Sequence, residues 1–309
     1  MYSSVIRSKE YIDRLQNFIQ REYGIKAENI TPAKRGYYGE TWRLETVDVS
    51  YFLKLVYPSA HKIIYERSFP IIRHLCDNGI DFISRIVKTK DGGLSARFDG
   101  AILGVFDWID GENIETDATK IPEYQMLAKV YTVSTQGIPI IREDFSGESA
   151  DRFYEQWNKL NNQQIHSLLE KNRSKLKHRA ERLKYFAGIC KGDTAGFFIT
   201  HGDAGGNLMV NGAKYFIVDW DYPLLAPPER DAWVMCSREW AREAFQNALS
   251  QNGIFHTLRL ERLAYYCYYF FFFYLNAYID AFAEADIIEE YIDGWIEKSI
   301  EYADGVKWN

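Results

Sequence analysis

The pattern of apolar residues changes kind once along this 309-residue chain, and the change falls at Asp107-Trp108-Ile109-Asp110-Gly111. Between about 27 and 107 the chain reads as short β-prone runs at 30–34, 40–46, 51–56, 82–88 and 101–106, rich in aromatic and β-branched residues. One helical stretch, about 60–77, interrupts them and ends before Asn78-Gly79. Beyond 111 helical periodicity takes over, at about 119–135, 150–171, 174–190, 230–250, 257–284 and 286–303. Five strands and one helix predict a small, mostly antiparallel sheet lobe, and the remainder a larger, mainly helical lobe. The expected class is α+β, divided into residues 1–107 and 108–309. A first amphipathic helix over 8–23 is capped by Ser8, carries Tyr11, Ile12, Leu15, Phe18 and Ile19 on one face, and ends at Gly24.

Composition narrows the class of partner. The chain is 47% hydrophobic and 26% charged, values ordinary for a globular protein, and its net charge of -6 argues against binding nucleic acid through phosphate contacts. A mild acidic balance is compatible with a cationic substrate. The four cysteines (76, 190, 236 and 267) form no CxxC pair, which predicts reduced, buried thiols in a cytoplasmic protein. The longest apolar run, Leu263 to Leu275, is too short to span a bilayer and reads as a buried helix. The N-terminus turns polar after two apolar residues, unlike a signal peptide. The sequence carries no reading of oligomeric state.

Two acidic motifs hold the chemistry. Thr200-His201-Gly202-Asp203-Ala204-Gly205-Gly206-Asn207 follows one short apolar run, and Asp219-Trp220-Asp221 follows a second, Phe216-Ile217-Val218. Such an arrangement suits phosphoryl transfer. Asp203 can orient and deprotonate a hydroxyl, while Asn207 and Asp219 hold Mg²⁺ against nucleotide phosphates. His201 reads as a residue that holds the loop, and Asp231 as the N-cap of the helix after Pro227-Pro228. Asp221 is a candidate for touching substrate or metal. In the sheet lobe, Lys54 is the single cation in the run 51–56 and can reach phosphates if a carboxylate orients it; Glu66 on the next helix is the expected partner. Pro70 predicts that this helix kinks or restarts. Gly36 and Gly39 bracket a hairpin tip that is either an ordinary turn or a close approach to phosphate. No GxxxxGK[ST] motif occurs, which disfavours a P-loop enzyme.

These residues resemble the aminoglycoside phosphotransferase family, part of the protein-kinase-like fold. The HGD…N pattern resembles its catalytic loop and Ile217–Asp221 its metal-binding aspartate motif; the run DWDYPLLAPPERD is most similar to spectinomycin-phosphotransferase-type members. The likeness is specific over about 195–235 and extends in order and spacing over 30–112. It implies Asp203 as catalytic base, Asn207 and Asp219 as Mg²⁺ ligands, and Lys54 with Glu66 at the phosphates of ATP or GTP. It also implies purine recognition by the backbone of 106–109, including Asp107 and Ile109. One departure stands out: Asn207 lies four residues after Asp203, where the family usually has five. Gly205 also replaces a histidine common two residues after that aspartate.

The resulting expectation is a small-molecule O-phosphotransferase using ATP or GTP with Mg²⁺, its substrate a hydroxyl of an aminoglycoside or aminocyclitol antibiotic. The alternatives are a kinase of a metabolite alcohol, sugar or choline-like, and a kinase-like binding protein whose shortened loop impairs catalysis.

Overall fold

A computed structural model of the chain describes residues 7–33, 39–57, 59–193, 195–281, 284–294 and 296–307. In chain order the elements are α1 (Lys9–Tyr23), β1 (Asn29–Pro32), β2 (Gly39–Glu45), β3 (Ser50–Val56), α2 (Ser59–Asp77), β4 (Ala96–Phe98), β5 (Ala101–Asp107), β6 (Glu112–Asn113) and α3 (Asp117–Val130). There follow α4 (Glu148–Lys159), α5 (Gln163–Lys171), α6 (Arg173–Lys191), β7 (Phe198–Thr200), β8 (Leu208–Asn211), β9 (Lys214–Ile217), β10 (Leu224–Ala226) and α7 (Glu229–Ala232). A 3₁₀ turn at Trp233–Met235 leads into α8 (Glu239–Gln251), α9 (Leu260–Asp280), α10 (Ala285–Asp293) and α11 (Glu297–Asp304). A small antiparallel sheet and a larger helical part make the class α+β, as expected. Contacts gather these elements into two compact units, one of residues 1–140 with 203–223, the other of 141–202 with 224–309.

In the first unit an antiparallel sheet runs β1-β2-β3-β5-β4. Pleating puts alternate residues on opposite faces. Trp42, Leu44, Leu53, Leu55, Leu103 and Val105 bury one face against Tyr11, Leu15, Phe18 and Ile19 of α1. Ser8 Oγ accepts the Tyr11 N–H at 3.2 Å, and Gly24 ends α1 at φ +75°, so both helix signals read from the sequence hold. The other face meets α2, where the Phe69 and Phe106 rings stand edge to face at 5.4 Å. A Cβ on Gly104 would come within 2.8 Å of Phe69, which is why α2 approaches here over a bare backbone. α2 runs through Pro70 without restarting. A three-stranded sheet, β6-β8-β9, completes the unit.

The second unit is built on α9. It is buried nearly all round, with Tyr265, Tyr266, Phe271, Phe272 and Leu275 fully covered, and it packs against α4, α6 and α11. The apolar run at 263–275 is thus core, as its length predicts. An antiparallel ribbon pairs β7 with β10.

Several expectations change. Residues 82–88 form no strand and make one bridge, Ile86 to Phe106. Burial there recurs every third residue, at Ile83, Ile86 and Thr89, rather than every second, so the segment cannot present a pleated face. β4, β6, β8 and β10 are strands the sequence did not suggest. The helix expected over 150–171 breaks at 160–162, where Asn162 caps α5 by accepting from Gln164 and Ile165 N–H. The helix over 230–250 is interrupted between 233 and 238. That over 286–303 breaks at Gly294, where a Cβ would sit 2.2 Å from the Glu290 carbonyl oxygen.

Candidate active site

Every sequence-derived site candidate among the described residues lies in the first unit, and the hairpin β8–β9 does most to assemble them. Its register pairs Leu208 with Ile217, so the next rung sets Asn207 beside Val218, whose N–H donates to the Asn207 carbonyl at 2.9 Å. Asp219 therefore directly follows the residue that faces Asn207, the last of the loop that bears Asp203. It sits at φ +64°, in the left-handed region where aspartate is better tolerated than most residues, and its carbonyl accepts the Asp221 N–H at 2.8 Å. Buried Trp220 locks this turn by donating Nε1–H to Ile217 O at 3.0 Å.

Lys54 arrives from the centre of the sheet, paired across β3 with Thr41 and Gly104. Because Leu53 and Leu55 fill the α1 face, Lys54 stands on the α2 face. Its Nζ donates to Asp219 Oδ1 at 2.7 Å and to Asp221 Oδ1 and Oδ2 at 2.9 and 2.8 Å. The Tyr65 hydroxyl also donates to Asp221 Oδ2, at 2.8 Å, and Lys54 Nζ lies 4.8 Å from the Tyr65 ring centre. Burial pulls the Lys54 pKa down, but the two carboxylates outweigh it and hold the group protonated well above its ordinary value. Burial, then the nearby Asp219 charge, raises the Asp221 carboxyl. Burial likewise raises the Tyr65 phenol, which remains a donor.

This geometry corrects one expectation. Glu66 does not partner Lys54; it pairs with Arg97 at 3.3 Å in solvent. Adjacent helical residues point about 100° apart, and it is Tyr65 that turns toward the lysine. The lysine's carboxylate partners instead follow β9. Asp221, expected near substrate, is the better buried of the two, its side chain 14% exposed against 44% for Asp219.

Asp203 and Asn207 are tied together: Asn207 Nδ2 donates to the Asp203 carbonyl at 2.6 Å and lies 3.4 Å from Asp203 Oδ2. Committing the amide nitrogen in this way leaves the amide oxygen as the group Asn207 offers a cation. Among the described residues no three of His, Cys, Asp and Glu converge on a metal position. The donor set nonetheless fits Mg²⁺, which takes one or two protein oxygens beside phosphate and water.

The remaining candidates are placed as follows. Gly36 lies outside the described residues. At Gly39 a Cβ would fall 2.1 Å from the Leu55 carbonyl, so the close approach of β2 to β3 alone requires glycine there. At the end of β5, the Asp107 N–H donates to Arg85 O at 2.9 Å and its carbonyl accepts Ser84 Oγ at 2.6 Å. The Trp108 N–H donates to Ser50 O at 3.3 Å, and Ile109 follows in irregular backbone. The Asp107 and Trp108 N–H groups are thus committed inside the unit.

In the second unit, Asp231 does not cap a helix. It lies inside α7 and accepts the main-chain N–H groups of His201 and Gly202 at 3.0 and 2.6 Å. Gly202, at φ +85°, has no room for a side chain, since the Arg230 guanidinium lies where its Cβ would be.

A lysine on the central strand of a five-stranded antiparallel sheet, faced by carboxylates that follow a hairpin, defines a protein of the kinase-like class. The chain matches the model of the phosphotransferase enzyme family over residues 29–266, and it belongs to that family. A search of curated proteins returns no match. Among solved structures it is similar to spectinomycin phosphotransferase in complex with ADP and spectinomycin, with TM-score 0.73 and 18% identity over 95% of this chain and 97% of that one. It is also similar to a microcompartment-associated aminopropanol kinase (TM-score 0.67, 12% identity, 95% and 96% covered). A third likeness is to an aminoglycoside phosphotransferase in complex with GDP and kanamycin (TM-score 0.62, 13% identity, 95% and 99% covered). At these identities the likeness is one of fold.

Proposed function

We propose that this protein transfers the γ-phosphoryl group of ATP or GTP to a hydroxyl of a small polar molecule, with an aminocyclitol or aminoglycoside antibiotic as the leading substrate class. The observation that carries the reading is the convergence of Lys54, Asp219 and Asp221 beside the loop that bears Asp203 and Asn207. In the proposed mechanism Lys54 neutralises nucleotide phosphate oxygens, and Asp221 with Tyr65 keeps its ammonium aimed and protonated. Asp203 accepts the hydrogen bond of the acceptor hydroxyl and takes its proton as the new O–P bond forms and the bond from the γ-phosphorus to the β–γ bridging oxygen breaks, the nucleoside diphosphate leaving. Asn207 and Asp219 would hold Mg²⁺, which supplies charge neutralisation along the phosphates. The segment 107–109 would face the purine, with Ile109 its reader, since the N–H groups of 107 and 108 are already bonded. Such an enzyme works where nucleotide is abundant, in the cytoplasm.

The aminopropanol kinase among the similar folds favours a second reading, a metabolite amino alcohol as acceptor. A phosphorylation screen of aminocyclitols, aminoglycosides and amino alcohols with ATP or GTP and Mg²⁺ separates the two. Asp203→Asn is expected to cut turnover about 10²- to 10⁴-fold, the usual worth of a positioned base, while calorimetric nucleotide affinity stays within a factor of about two. Unchanged turnover in the variant, or no nucleotide consumption by wild type with any acceptor, overturns the proposal.

A further inference from the structure

Between Asp203 and Asn207 the loop contains Gly205 and Gly206, and two adjacent glycines lose more conformational freedom on ordering than any other pair. Something outside the loop must fix them. Gly206 sits at φ +98°, and both halves of its backbone are bonded by one neighbouring segment. The Gly206 carbonyl accepts Asn113 Nδ2–H at 2.5 Å, and the Gly206 N–H donates to Glu115 Oε1.

That segment is itself held on two sides. β6 pairs with β8, setting Asn113 across from Met209, two residues past Asn207. A capping box between Thr116 and Thr119 fixes the start of α3 immediately after Glu115. The second oxygen of Glu115 meets Lys120 Nζ at 2.9 Å, and the same ammonium meets Glu123 at 2.8 Å; Lys120 and Glu123 are both buried. Burial of the lysine is compensated by two carboxylates, so Glu115 is anchored rather than waving from a loop. A hydrogen bond from a peptide N–H to such an anchored carboxylate is charge-assisted and strong.

We propose that Asn113 and Glu115 are positioning residues which clamp the Gly206 backbone from both sides and thereby set Asp203 and Asn207 for phosphoryl transfer. The catalytic consequence rests on the function proposed above, whereas the clamp does not, and the two are separable by experiment. Amide hydrogen exchange in the full chain without nucleotide is expected to show Gly206 protected, with protection lost in Glu115→Ala and kept in Glu115→Gln, which retains an acceptor oxygen. In kinetics, Asn113→Ala and Glu115→Ala are each expected to lower kcat about ten-fold or more, as small displacements of catalytic groups do, with nucleotide KM within two-fold. Because both act on one residue, the double variant should lose less than the product of the single losses. Glu115→Gln should recover most of the kcat. A Gly206 amide equally exchangeable in wild type and Glu115→Ala overturns the clamp whatever the transferase activity. Single variants with wild-type kcat overturn its catalytic role.

Discussion

Each unit of this chain buries a cluster of charges, and the two clusters are balanced differently. In the first unit one cation, Lys54, faces two carboxylates, Asp219 and Asp221. In the second, two arginines face two acids. Arg262 meets Asp193 at 3.2 Å and Glu229 at 3.8 Å, and Arg259 pairs with Asp193. Glu229 Oε1 further accepts the Arg259 main-chain N–H at 2.7 Å and lies 3.0 Å from His256 Nε2. Arg262 Nη2 also donates to the Asp193 and Ala195 carbonyls. The centre of the second cluster is closed, with the side chains of Glu229 and Arg262 at most 1% exposed, while Arg259 and Asp193 at its rim are 40% and 33% exposed. The first carries a surplus negative charge and an Asp219 side chain that is 44% exposed. Burying charge is tolerated when partners match it, and a mismatch held beside an opening costs stability that only a ligand recovers. The lesson is that neither buried charge nor a two-to-one imbalance marks a functional site by itself, since Lys120 faces Glu115 and Glu123 in the same ratio; the 44% exposure of Asp219 has to be read with it.

Arg262→Met tests the closed cluster and carries the larger expected loss. It removes the guanidinium that faces the Glu229 carboxylate in the core, and removing one partner of a buried pair costs about 3–5 kcal/mol. Thermal unfolding should show a fall in Tm of many degrees, while the folded fraction retains nucleotide affinity. An Arg262→Met protein with wild-type Tm would show that the balanced cluster is incidental to the core.

Lys54→Met should invert that pattern. The expected loss is in Mg²⁺-nucleotide affinity, about ten- to a hundred-fold, the scale of one or two charge-assisted hydrogen bonds. The Tm should change less than in Arg262→Met, because the lysine's own desolvation is relieved, Asp219 is open to water, and the buried Asp221 carboxyl, already raised by burial, can take up a proton once the lysine is gone. Calorimetric binding together with a thermal scan reads both quantities on one sample. A Lys54 variant that unfolds as readily as the Arg262 variant but binds nucleotide normally would erase the distinction drawn between the clusters.

The contrast also separates what the sequence discloses from what it hides. Signals carried by neighbouring residues were legible. Ser8 and Gly24 bound α1, the strands at 39–45, 50–56 and 101–107 match their runs within a residue or two, and short strands do precede Asp203 and Asp219, as β7 and β9. The β8–β9 register, which the sequence did not suggest, then brings Asn207 near Asp219. The partner of Lys54 was not legible. It depends on the rotation of α2 about its axis, where one residue separates Tyr65 from Glu66, and on a turn whose residue 219 takes a positive φ. Asp231 misled for a related reason: a carboxylate near a helix start suits an N-cap, yet this one bonds two N–H groups thirty residues earlier in the chain. The clamp on Gly206 was equally hidden, since nothing in Asn113 or Glu115 marks them before β6 pairs with β8.

A half-buried acid of the second unit gives the smallest and finest test. Glu143 accepts the Phe145 N–H at 2.9 Å and the Tyr266 hydroxyl at 3.2 Å, and burial raises its pKa despite the opposing field of Arg230. Its folded pKa lies above its unfolded value, so the native state binds the proton more tightly. The associated stability is fully present below the unfolded pKa and is lost as pH rises through the folded one. Glu143→Gln keeps an acceptor for the Phe145 N–H and cannot ionise. The variant should therefore match wild type most nearly at low pH and gain on it as pH rises from about 4 toward neutrality, seen as a shallower fall in denaturant midpoint across that window. A variant that instead loses stability at neutral pH would mean Glu143 is held as a carboxylate by Arg230. Glu143 would then belong with the matched pairs around Arg262 rather than with the strained acids around Lys54.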